Sequence, residues 1–155
     1  MFKVDADSLD AYFNFDPARR KDLEGLDEAI RTSAPSLKRH FHAGTPAGEA
    51  GMRMRMIGYG RFRYAIKSGK MTSWPVIGVA LQKNYISVYF SLAHDGAPIV
   101  AAYADKLGAV RSAGDNFSFV AFAELNVAAL SALFAEAADL FRADPDNPMR
   151  YKQGG

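Results

Sequence analysis

The chain of 155 residues contains no cysteine, which excludes disulfides, thiol catalysis and cysteine-ligated zinc. Long apolar runs are missing too. No window approaches the ~18 uninterrupted apolar residues of a membrane span, and no signal-peptide pattern opens the chain. A cytoplasmic protein without a membrane partner is the expectation. Catalytic signatures are equally scarce. No serine sits in a nucleophile-elbow context, and Gly58-Tyr59-Gly60 lacks the third glycine and the strand-to-helix setting of a dinucleotide loop. Paired catalytic carboxylates would have to come from helices that present them outward, so the chain reads as binding rather than catalysing.

Acidic residues are also absent over one long stretch. From Ala50 to His94 there is none, against seven bases: Arg53, Arg55, Arg61, Arg63, Lys67, Lys70 and Lys83. Residues 1–28 carry eight acids and four bases, and acids return at Asp95, so the net charge of +2 hides cationic strands between acidic helices. Such a partition serves either charge complementarity within the fold or a surface for an anionic ligand.

What is present inside the acid-free stretch is a hairpin. Val76–Gln82 and Tyr85–Leu92 are apolar-rich runs separated by Lys83-Asn84, a two-residue turn. Pairing across that turn sets Leu81 opposite Ile86, Val79 opposite Val88 and Ile77 opposite Phe90. One face then collects only core side chains. The other collects Gly78, Ala80, Ser87, Ser91, Tyr85 and Tyr89, a shallow trough with aromatic walls. A slip of one residue would mix the two sets.

Around the hairpin, Asp7 or Ser8 caps a short first helix. Asp16-Pro17 opens a second, with Leu23, Leu26 and Ile30 at helical spacing and Pro35 as its limit. Ser36–Ala43 reads as an edge strand, GTPAGEAG (residues 44–51) as a loop, Met52–Met56 as an alternation of methionine and arginine leading into a bend at Ile57-Gly58-Tyr59-Gly60, and Arg61–Lys67 as a strand with one apolar and one cationic face. Ala97–Leu107 is expected to be a helix stopped by Gly108, and Phe117–Phe122 a short strand. Asn126 caps a last helix carrying Leu130, Leu133, Phe134, Ala137 and Phe141. The order gives one α+β domain over residues 1–143, an antiparallel sheet with helices packed on one face, and a flexible tail over 144–155.

Four segments taken together, IRTSAP, MIGYGRFRYA, WPVIGVALQKNYISVYF and FAELNVAALSALFAEA, resemble the YdhG-like family over residues 7–141. That family is a bacterial domain of unknown function with an α+β fold similar to frataxin. The resemblance implies a frataxin-like fold and, as for some relatives, an iron chaperone supplying iron–sulfur assembly proteins. Iron would then be the metal, held by oxygen ligands on an acidic ridge. Asp22, Asp27 and Glu28 on the second helix are the candidates, although Arg19, Arg20 and Lys21 sit among them.

Two further constellations stand out. His40-Phe41-His42 places two imidazoles on one face of a strand, and with His94 could supply nitrogens to zinc or iron. Tyr59, Arg61, Arg63, Tyr64, Trp74, Tyr85 and Tyr89 interleave cations with aromatics, in the manner of a site for a small anionic or aromatic ligand, with Lys83 adding charge. A single-strand nucleic-acid surface has a similar composition, but a small ligand is the expected partner.

Overall fold

The computed structural model describes residues 2–44, 54–65 and 69–146. Most of the GTPAGEAG loop, Arg53, Ile66, Lys67 and the tail from residue 147 onward lie outside the described residues. The elements are α1 (Leu9–Phe13), α2 (Arg20–Ser33), β1 (Arg39–His42), β2 (Met56–Ala65), β3 (Met71–Leu81), β4 (Ile86–Phe90), β5 (Ala93–His94), β6 (Ala97–Pro98), β7 (Arg111–Ala113), β8 (Asn116–Phe119) and α3 (Val127–Ala143). Six strands form one antiparallel sheet in the order β1-β2-β3-β4-β8-β7, and β5 with β6 makes a separate two-stranded ribbon. No helix among the described residues is long and apolar enough to cross a membrane.

The β3–β4 register is the expected one, with Leu81 opposite Ile86, Val79 opposite Val88 and Ile77 opposite Phe90. The same face continues into β2 through Ile57 and Tyr59 and into β8 through Phe117 and Phe119. Helices cover it. The Phe90 ring stacks 5.9 Å from Phe134 of α3 and 6.1 Å from Phe117. Leu23, Leu26 and Ile30 of α2 and Leu130, Leu133 and Ala137 of α3 are buried in the same cluster. Each such leucine, isoleucine or phenylalanine contributes about 1.5–3 kcal/mol before chain entropy is subtracted.

The caps fall where the side chains require. Ser8 accepts from the Ala11 N–H, and Asn126 from that of Ala129. Asp16 accepts from Ala18, but it opens a 3-10 turn over Pro17–Arg19 that leads into α2. Arg19 then ties the helical layer to the sheet by donating to the carbonyls of Gln82 and Tyr85, on either side of the Lys83-Asn84 turn. Tyr12 fastens α1 to the sheet from within, donating to the Arg55 carbonyl at 3.0 Å and accepting from the Leu81 N–H at 2.9 Å.

Three expectations need correction. The helix expected over Ala97–Leu107 is instead β6, a 3-10 turn over Ile99–Ala102 and further turns. Ile99 and Val100 are both buried, and the Ile99 N–H is bound by the Leu92 carbonyl outside any helix. Two adjacent β-branched side chains that must both point inward suit a tight turn better than an amphipathic helix. The strand β3 begins at Met71 and runs straight through Trp74-Pro75. Ahead of Ile77 it pairs with β2 alone, so on the β4 side the missing proline N–H breaks no ladder. The strand expected over Phe117–Phe122 is shorter, Asn116–Phe119, and forms a hairpin with β7. Strand β7 is exposed throughout and carries no apolar alternation for a sequence reading to find.

Candidate ligand groove on the open sheet face

Alternation along the strands puts a second set of side chains on the face turned away from the helices. The cross-strand partners Ser87, Ser118 and Arg111 form one row over β4, β8 and β7, and Tyr89 and Asn116 begin the next. Above these rows lies an open groove of ≈ 870 Å³. Its floor is Ser87, Ser118 and Asn116, its walls include Tyr85 and Tyr89, and residues 108–111 form a rim. This size falls within the roughly 300–1,000 Å³ of ordinary small-molecule sites.

The chemistry of the groove is largely neutral and directional. The Ser87 and Ser118 hydroxyls lie 2.8 Å apart, each still able to offer a donor or a lone pair to a third group. Asn116 donates to the Asp115 carboxylate at 3.1 Å, which fixes the orientation of its amide. Tyr85 is 39% exposed and Val120 66%, so the groove offers an aromatic and an apolar surface to solvent. Burial lifts the Tyr89 phenol above the ordinary tyrosine range, with Ser87 acting in the opposite sense and Asp115 and Tyr85 pushing it further up. Tyr89 thus stays a neutral donor. Among the described residues Arg111 is the one cation lining the groove, and it has no ion-pair partner there.

On its β3 side the open face is filled by the protein itself. A side chain at Gly78 would meet the Met56 sulfur at 2.6 Å, so Met56 lies directly across that glycine. Gly58 has the same role for His40, whose ring would lie 2.5 Å from an added Cβ. Gly78, which suggested a trough, therefore accommodates a methionine, and Gly58 a histidine.

Of the seven residues expected to bind a ligand, Tyr85 and Tyr89 line the groove and five do not. Tyr59 projects from the opposite, helix-covered face and is fully buried, its hydroxyl donating to Asp27 at 2.5 Å. Tyr64 and Trp74 are core residues at 6% and 4% exposure. Trp74 packs edge-on against the His42 ring at 5.0 Å. Arg61 and Arg63 are exposed on β2, opposite Pro75 and Ser73, away from the groove. Lys83 is exposed in the turn, where its neighbour Asn84 contributes to the lining instead. Asn84, Arg111, Asn116 and Ser118 were the residues missed. The three on β7 and β8 become neighbours of the tyrosines only through a pairing between distant segments of the chain.

No match to a family model, a curated protein or a solved structure was found.

The acidic candidates are dispersed. Asp22 accepts from the Phe122 N–H at 3.0 Å. Asp27 is buried, with Arg39 at 2.9 Å and Arg31 at 3.5 Å on one oxygen and Tyr59 on the other. Glu28 is exposed on the outer side of α2. His94 lies 3.3 Å from Asp95 in the ribbon turn. Among the described residues no three histidine, aspartate or glutamate side chains are grouped to hold a metal ion.

Proposed function

We propose that this chain is a non-catalytic binding module whose groove over β4, β8 and β7 takes a small planar ligand with a single negative charge. The observation that carries the reading is the row Ser87–Ser118–Arg111, two hydroxyls leading to a lone guanidinium beside two tyrosines. A carboxylate would engage Arg111 in a charge-assisted pair, and the hydroxyls and the Asn116 amide would orient it. The tyrosine faces would receive the ring. The resemblance to YdhG-like, frataxin-like proteins is in keeping with an accessory role in the cytoplasm, and what the structure shares with it is the α+β class alone.

Iron as cargo, with iron–sulfur assembly proteins as recipients, would require open carboxylates. Asp27 is occupied on both oxygens and Asp22 by a backbone N–H. Of the three candidates only Glu28 is exposed without such a partner, fewer oxygen ligands than a cation of this kind takes.

The test is titration of benzoate and 4-hydroxybenzoate into ¹⁵N-labelled protein. Saturable amide shifts should concentrate at residues 85–89, 108–111 and 116–118. Arg111→Gln should weaken binding by about tenfold, as for a lost charge-assisted pair. Shifts spread over α2 or β1 instead, or indifference to Arg111→Gln, would overturn the reading.

A further inference from the structure

A second concave site lies at the opposite edge of the sheet, independent of the groove. It is a cleft of ≈ 480 Å³ between the segment leading into β1 and the middle of β2, lined in part by Ser36, Lys38, His40, Arg61 and the Phe141 ring. The cleft's two unpaired cations are brought together by a specific device. Gly60 takes a positive φ of 70° inside β2, and its N–H is bound by the Lys38 carbonyl at 2.9 Å. A side chain at residue 60 would collide with Leu37 at 2.8 Å. Only glycine satisfies both the backbone angle and the close approach, and the result is that Lys38 and Arg61 flank one opening.

Two of the three cations in this cleft form no ion pair among the described residues. Arg39 also borders it, but its guanidinium is committed to Asp27 at 2.9 Å and stacks 5.7 Å over Phe13. Lys38 and Arg61 have no ion-pair partner among the described residues, and no carboxylate lines the cleft. The acids Glu24, Asp27 and Glu28 line a neighbouring cleft on α2 that Lys38 and Arg39 also border, while Arg61 lies on the present cleft alone. His40 adds a third nitrogen base: its Nε2 is buried over Gly58 without a hydrogen-bond partner among the described residues. Burial first, and the Arg61 charge second, hold its imidazole below the ordinary histidine range, which places Arg61 within electrostatic reach of the ring.

We infer that the Lys38–Arg61 cleft binds a phosphate dianion, either free or as the head of a small phosphomonoester. Two unpaired cations match the charge of the group. The Arg61 guanidinium provides a planar fork for its oxygens and Lys38 a point charge, while the Ser36 hydroxyl adds a neutral donor. The Phe141 ring and Leu37 give the remaining volume an apolar wall, which free phosphate would leave unused and an ester would fill.

The experiment is calorimetric titration of inorganic phosphate and phenyl phosphate at low ionic strength, with the His40 ring signals followed by NMR. Saturable binding should weaken about tenfold in Arg61→Gln and in Lys38→Gln, both exposed positions where folding is unaffected. Arg111→Gln should leave it unchanged, which separates this site from the groove. The His40 resonances should move in step with occupancy. Tighter binding of phenyl phosphate would identify an ester as the ligand, and equal binding would identify the free ion; either result supports the site. Absence of saturation with both probes, or saturation untouched by Arg61→Gln, overturns it. So does binding seen only with a single-stranded oligonucleotide, since that would make the cations part of an extended polyanion track.

Discussion

Tyr59 Oη donates to Asp27 Oδ1 across 2.5 Å, joining the middle of the sheet to the middle of α2. The other carboxylate oxygen takes Arg39 from β1. One side chain on the helix thus pins two adjacent strands. Asp27→Ala should therefore cost about 3 kcal/mol, because a phenol and a guanidinium lose their shared acceptor. Arg31→Ala removes a partner that is itself mostly exposed and should cost no more than about 0.5 kcal/mol. Urea unfolding of the two variants checks the difference.

The same commitment of Asp27 bears on iron. Anaerobic titration of ferrous ion should give a flat isotherm, and Asp22→Asn or Glu28→Gln should make no difference to it. A saturable isotherm abolished by either substitution would restore the acidic helix as a metal site.

Acid should destabilise the fold through His40. Its folded-state value lies below the ordinary 6.5, so the native state favours the neutral ring. The resulting stability is present above pH 6.5 and is lost as pH falls through the depressed value. Unfolding free energy measured between pH 7.5 and 5 should fall less steeply in His40→Gln than in the parent chain.

At the alkaline end the sign reverses. Tyr59 and Tyr12 are buried and their phenols are pushed upward, Tyr59 by burial and then by the Asp27 charge. Their contribution is intact below the ordinary tyrosine value of 10 and disappears as pH rises toward the folded-state values. A spectrophotometric titration at 295 nm should show these two tyrosines ionising only together with loss of structure, and refolding at neutral pH should restore the original absorbance.

Two glycines should respond differently to a methyl group. Gly108 has φ of 100°, and an added Cβ would meet the Glu124 carbonyl oxygen at 2.5 Å. Backbone cannot step aside, so Gly108→Ala should cost about 2 kcal/mol or more. At Gly78 the obstacle is the Met56 sulfur, the end of an adaptable side chain, and Gly78→Ala should cost under about 1 kcal/mol. Thermal melts of the pair provide the comparison.

How far the sequence could be read follows from which interactions are local. The β3–β4 hairpin was legible down to single residue pairs because alternation and a two-residue turn fix each other. The caps at Ser8 and Asn126 were legible for a similar reason, each depending on a residue three positions away. Strand β7 was not, since Arg111, Ser112 and Ala113 are all exposed and become a strand only by pairing with β8. The candidate site divided along the same line. Tyr85 and Tyr89 belong to the legible hairpin, whereas Arg111 arrives by non-local pairing. Tyr59 was assigned to the wrong role because composition grouped it with other aromatics, while its position in β2 puts it on the helix-covered face with Ile57 and Ile77.

The groove combines two kinds of part. Its serines and Tyr89 stand on paired strands whose alternate residues, Val88 and Phe117, are fully buried. Its rim is residues 108–110, a connection ahead of an edge strand, and Arg111, which opens that strand. Lengthening or shortening that connection would alter the shape of the opening while leaving the serine hydroxyls in place. Descendants of this chain could change what they hold by editing a few residues of the rim, with no second change needed in the layer beneath.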